Sequence, residues 1–156
     1  MSPFGWNIRP VLLVEDDPDY ALLVRLAFRE AEVRNPVQVV STVQGAKMYL
    51  AGEPPYDNRK HYPLPALVVM DLRLLDGSGF ELLDWLQSHQ DLLPVPVVVL
   101  TMSGEQADRQ RAYKLGVRDY VVKQRAVREL VGTVRQWAKQ WLGEEERGRI
   151  EAARGA

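Results

Sequence analysis

Short apolar runs alternate with segments of helical periodicity five times along this 156-residue chain, and that alternation limits the fold more than any other feature. The runs fall at Val11–Val14, Val37–Val40, 66–70, 95–100 and, briefly, 120–122. Three of them are nearly continuous and rich in valine, as strands buried on both faces of a parallel sheet are. The first intervening helix is announced by Asp17-Pro18, a capping carboxylate followed by proline at the first helical position. Ala21, Leu22, Val24, Leu26 and Phe28 give it an apolar face. Further helices are predicted over 43–50, ending at Gly52, over 79–89, and over 105–115, ending at Gly116. The last covers 126–142, with Val127, Leu130, Val134, Trp137 and Trp141 on one stripe. Repeated strand-helix units predict an α/β fold: a doubly wound, five-stranded parallel sheet with helices on both faces. Ligands of such sheets bind at the carboxyl ends of the strands.

Two segments fall outside this scheme. Residues 52–65 contain Pro54, Pro55, Pro63 and Pro65 and read as a long surface loop. Residues 143–156 form a charged tail with three consecutive glutamates, either disordered or prolonging the last helix. The expected organisation is an N-terminal arm at 1–8, one domain over 9–142, and the tail.

Twenty basic and 21 acidic residues leave a net charge of −1, which lacks the basic excess of a nucleic-acid binder. There is no cysteine, so disulfides and cysteine-based zinc sites are excluded. The first ten residues lack a signal-peptide core, and the apolar runs are too short to span a bilayer. A cytoplasmic protein with no membrane or nucleic-acid partner is expected.

The residues that end the apolar runs carry the chemistry. The first run is followed by Glu15-Asp16-Asp17, the third by Asp71, the fourth by Thr101 and the fifth by Lys123. The predicted sheet brings them to one rim. Carboxylates crowded there repel, and a hard divalent cation relieves the repulsion. Asp16 and Asp71 are the expected direct ligands of Mg²⁺, Glu15 acts through water, and the backbone carbonyl of Arg73 completes the set. Asp17 is read only as a helix cap. A carboxylate nucleophile flanked by a cation, an ammonium and a hydroxyl suits phosphoryl transfer, with an aspartyl phosphate on Asp71 as the product.

Glu15-Asp16, Asp71, Thr101 and Lys123 resemble the five-residue signature of bacterial response-regulator receiver domains, in order and rough spacing, over nearly the whole chain. The resemblance implies a flavodoxin-like sheet of order 2-1-3-4-5. It also implies a single-domain response regulator that accepts a phosphoryl group from a sensor histidine kinase. Its only catalysis would be self-phosphorylation and self-dephosphorylation. Tyr120 falls on the family's switch aromatic, and Arg73 and Ser103 fall where phosphoryl lifetime is tuned. Within the family, VEDDPDY, PVVVLTMS, the proline-containing loop and the tryptophans of the last helix resemble stand-alone regulators paired with bacterial phytochromes.

Three positions depart from the pattern. Met102 stands where a small residue is usual, so it could narrow access to Asp71; Gln124 replaces a proline after the lysine, which makes a cis bond unexpected; Leu75 also replaces a proline. They keep open a second reading, a pseudo-receiver that binds partners without phosphorylation. A haloacid-dehalogenase-type phosphatase is disfavoured because Arg73 stands where its second aspartate would be. A dinucleotide-binding domain is disfavoured because the first turn lacks glycines. Core or dimer packing explains Trp137 and Trp141, one helical turn apart, and because the stripe they end is longer than the core strictly requires, a homodimer is the expectation.

Overall fold

A computed structural model of the chain describes residues 8–92 and 94–143. The N-terminal arm, apart from residue 8, and the tail beyond Gly143 lie outside the described residues. The strands are β1 (Val11–Val14), β2 (Val37–Val40), β3 (Leu67–Met70), the two-residue β4 (Arg73–Leu74) and β5 (Gly77–Ser78), β6 (Val97–Thr101) and β7 (Asp119–Val122). The helices are α1 (Pro18–Glu30), α2 (Val43–Ala51), α3 (Gly79–Gln87), α4 (Gln106–Lys114) and α5 (Val127–Trp137).

Five strands form one parallel sheet in the order β2-β1-β3-β6-β7. Counted by themselves these five run 2-1-3-4-5, as the resemblance implied. The three central strands are buried from end to end, whereas edge strands β2 and β7 are partly exposed. Alternation along the strands divides the core in two. Leu12, Val14, Val68, Met70, Val97 and Val99 face α2, α3 and α4. Val11, Leu13, Leu67, Val69, Val98 and Leu100 face α1 and α5.

The predicted caps are present. The Asp17 side chain accepts from the Asp19 amide with Pro18 in the first turn of α1, and Gly52 closes α2 in the left-handed conformation at φ 71°. Three expectations need correction. Residues 52–65 are not merely a surface loop, because Tyr56, Tyr62 and Leu64 pack on the core. Tyr49, Tyr56 and Tyr62 form a cluster with ring centroids 5.0–6.1 Å apart. The last helix is not uniform over 126–142, since α5 passes into a π-helical turn at Ala138–Leu142. Its stripe is taken up inside this one chain: Trp137 is 1% exposed and donates through Nε1 to Asp119, and Trp141 packs on the same core. The stripe therefore gives no reason to infer a dimer.

Candidate functional site

The parallel ladder continues past the strand ends, and this brings the site together. The Glu15 amide donates to the Val40 carbonyl, the Asp71 amide to Val14, and the Lys123 amide to Thr101. Each hydrogen bond fixes a residue one step beyond its strand at the carboxyl edge of the sheet. Thr101 ends β6, which lies between the strands that precede Asp71 and Lys123.

Three carboxylates meet there. Ligand oxygens of Glu15, Asp16 and Asp71 lie within 4.8 Å of one another, with Glu15 and Asp71 buried and Asp16 partly exposed. The Lys123 ammonium bridges Glu15 Oε1 at 2.7 Å and Asp71 Oδ2 at 2.8 Å. Asp71 Oδ1 accepts from the Arg73 amide at 3.2 Å, and Glu15 Oε2 accepts from the Asp17 amide at 3.2 Å. Burial pushes the Glu15 carboxyl above its usual range although Lys123 opposes the shift. Burial works to lower the Lys123 ammonium, but its bonds to Asp71 and Glu15 outweigh this, and its net shift is upward.

The remaining predicted residues lie around this centre. Thr101 is fully buried, and its hydroxyl oxygen accepts from the Ser103 amide at 3.5 Å, a weak contact. Tyr120 is buried and donates through its hydroxyl to the Ser103 carbonyl at 2.8 Å. The Arg109 guanidinium stacks 4.7 Å above the Tyr120 ring and donates to the Tyr120 carbonyl. Ser103 donates to Asp108, which ties the loop after Thr101 to α4. Met102 is 59% exposed, so its side chain is not packed down into the strand ends. Leu75 is 85% exposed at the turn between β4 and β5. Among the described residues the cis peptide bond is Pro54-Pro55, so the bond to Gln124 is trans, as expected.

Sequence reasoning missed two neighbours. Tyr20 places its ring 4.5 Å below the Lys123 ammonium and donates through its hydroxyl to the Gln124 carbonyl at 2.9 Å. Nothing in the run of helical residues distinguishes it from a surface tyrosine. Gly79 lies against the backbone that leaves Asp71: a Cβ there would sit 2.5 Å from the Asp71 carbonyl oxygen and 3.0 Å from the Leu72 Cα. Asp76-Gly77 reads as a turn signal and Gly79 as the start of a helix, and neither reading reveals this close approach.

The response regulator receiver domain family matches residues 11–135. The chain belongs to that family. Receiver domains are the phosphoacceptor switches of two-component signalling, and the sheet order and acidic rim agree with this. The chain is 33% identical over 137 residues to the probable methanogenesis regulatory protein FilR2 of Methanothrix harundinacea, spanning 85% of this chain and 83% of that one. It is 30% identical over 132 residues to the response regulator Rcp1 of Synechocystis, spanning 85% and 88%. The Mn²⁺-bound structure of Rcp1 superposes with a TM-score of 0.75, covering 86% of this chain and 94% of that one. The phosphorylated cyanobacterial phytochrome response regulator RcpA superposes with a TM-score of 0.77 at 30% identity, again covering 86% and 94%. The chain spans about half the length of the transcriptional regulators it also matches. Among the described residues no helix is long and apolar enough to cross a membrane.

Proposed function

We propose that this receiver domain takes a phosphoryl group on Asp71 from a phosphohistidine of a sensor histidine kinase. The observation that carries this reading is the Lys123 ammonium 2.8 Å from Asp71 Oδ2, at a rim shared with Glu15 and Asp16. An Asp71 carboxylate oxygen attacks phosphorus. The phosphorus–nitrogen bond breaks, and its electron pair leaves on the imidazole, which takes up a proton from solvent. Lys123 follows the negative charge from the carboxylate to the phosphoryl oxygens, and Thr101 supplies a hydroxyl from the adjacent strand. Self-dephosphorylation is the attack of water on the same phosphorus, with the bond to the Asp71 oxygen breaking. Arg73, exposed two residues on, and Ser103, two residues after Thr101, tune that water's access in this reading.

The rim fits a divalent cation. Three carboxylates against one ammonium leave two negative charges, and clustered carboxylate oxygens are the donors that Mg²⁺ prefers. Asp16 and Asp71 would hold it directly, Glu15 through water, with the Arg73 carbonyl completing the set. When bound, Mg²⁺ supplies positive charge for the phosphoryl oxygens.

Tyr120 is the switch residue in this reading. Its hydroxyl bond to Ser103 and the Arg109 stack join β7 to the start of α4, so a phosphoryl group that gathers Thr101 reshapes the face of α4, β7 and α5. The likeness to RcpA supports a phytochrome-type kinase as the upstream partner, and membership of the receiver family supports a cytoplasmic setting.

Incubation with phosphoramidate and Mg²⁺, borohydride reduction of the acyl phosphate and peptide mapping test the acceptor. Homoserine at position 71 is expected. A reduced residue elsewhere would move the acceptor, and no reduced residue at saturating donor would establish the pseudo-receiver.

A further inference from the structure

Lys123 reaches the rim on a flexible stem of four methylene groups, so its aim must come from its surroundings. Two carboxylates draw the ammonium from one side. The other side is built by α1. The Asp17 cap and Pro18 begin α1 immediately after the acidic turn, which leaves Tyr20 in the first helical turn beside the loop that follows β7. There its ring lies 4.5 Å from the Lys123 ammonium, and its hydroxyl donates to the carbonyl of the next residue, Gln124. Gln124 is held from α5 as well, where the Thr133 hydroxyl donates to its Oε1 at 3.0 Å. Gln124 is thus tied to both flanking helices, through its carbonyl to α1 and through its side chain to α5, and the Lys123 ammonium rests against an aromatic face that attracts cations. Burial pushes the Tyr20 hydroxyl up to about 12, so it keeps its donor proton throughout the neutral range.

We propose that Tyr20 is a positioning residue for Lys123: its ring bears the ammonium and its hydroxyl anchors the Gln124 carbonyl, together aiming the cation at Asp71 and the incoming phosphoryl group. The proposal rests on Asp71 being the acceptor. It divides the work of one side chain into two parts that substitution separates. Tyr20→Phe keeps the ring and loses the tether, whereas Tyr20→Leu loses both.

The test compares phosphoryl uptake from acetyl phosphate in full-length wild type, Tyr20→Phe and Tyr20→Leu, each also carrying Lys123→Ala. Tyr20→Leu should slow uptake about tenfold and Tyr20→Phe about threefold, where tenfold corresponds to ~1.4 kcal/mol of barrier. In the Lys123→Ala background both substitutions should change the rate less than about twofold, because their target is gone. Equal losses in both backgrounds, or no loss in either, would overturn the positioning role while leaving Asp71 as the acceptor. A second readout stands apart from phosphorylation: hydrogen exchange of the Lys123 ammonium by NMR. It should speed up several-fold in Tyr20→Leu and change little in Tyr20→Phe. Unchanged exchange in Tyr20→Leu would overturn the proposal even if wild type takes up no phosphoryl group, and that last result would instead count against Asp71 as acceptor.

Discussion

Charge is handled in opposite ways at the rim around Asp71 and at the ends of α2. At α2 each terminus meets one charge of the matching sign. The Asp76 carboxylate, from the turn between β4 and β5, accepts from the Val43 and Gln44 amides at 2.9 and 3.1 Å. At the other end the Arg59 guanidinium donates to the Tyr49, Leu50 and Tyr62 carbonyls at 2.8, 2.6 and 3.1 Å. An anion at the amino end and a cation at the carboxyl end satisfy both the unpaired backbone groups and the helix dipole. The rim does the reverse, gathering like charges around one ammonium with the burial of Glu15 working against its ionisation. Matched charges hold a structure together. Unmatched carboxylates favour a divalent cation, at some cost in stability.

Substitutions can break this contrast. The largest expected effect is at the rim: Asp71→Asn should abolish phosphoryl uptake while leaving metal-free stability within ~1 kcal/mol of wild type, because it removes one of the crowded charges. Arg59→Ala should do the opposite. It takes a donor from three carbonyls, of which that of Tyr49 keeps the Gly52 amide at 3.2 Å, and should lower stability by ~2 kcal/mol in urea titrations, with uptake rates unchanged in the folded protein. A result in which Arg59→Ala slowed uptake as much as it destabilised would blur the division. Gly79→Ala should combine the two kinds of loss, since a Cβ 2.5 Å from the Asp71 carbonyl must displace backbone, and it should both destabilise and slow uptake.

Smaller effects come from pH, where the two carboxylates have opposite signs. The Glu15 carboxyl is raised by burial above 4.5, so its contribution to metal-free stability is full below 4.5 and falls as pH rises through its folded value. Mg²⁺ should therefore raise the melting temperature at neutral pH and lose this effect as the ligands protonate toward pH 4. Asp16→Asn should abolish the Mg²⁺ effect. Slight burial acts to raise the Asp76 carboxyl, but the Val43 and Gln44 amide bonds outweigh it and hold it below 3.8. Its contribution is present above 3.8 and lost as pH falls through that lower folded value, and Asp76→Ala should remove ~1 kcal/mol in thermal melts at pH 7.

The fold was legible because its information is local. Valine-rich runs, the Asp17-Pro18 cap and Gly52 announce strands and ends within a few residues. The rim was legible because parallel strands deliver their following residues to one edge, so Glu15, Asp71, Thr101 and Lys123 could be placed without side-chain detail. What escaped depends on distant packing. Asp76 reads as a turn residue, and only the fold brings it to a helix 33 residues away. Arg59 sits in a proline-rich stretch whose anchoring needs three tyrosines to converge. The apolar stripe of the last helix was visible, but the choice between core and dimer packing was not, since it rests on the neighbours that bury Trp137 and Leu142.

The central claim is that Asp71 accepts a phosphoryl group with help from a divalent cation, and the most direct measurement is intact-protein mass after incubation with acetyl phosphate. A single phosphoryl adduct is predicted in wild type with Mg²⁺, absent when the metal is chelated and absent in Asp71→Asn. An adduct that persists in Asp71→Asn, or none in wild type with Mg²⁺ at saturating donor, would contradict the account.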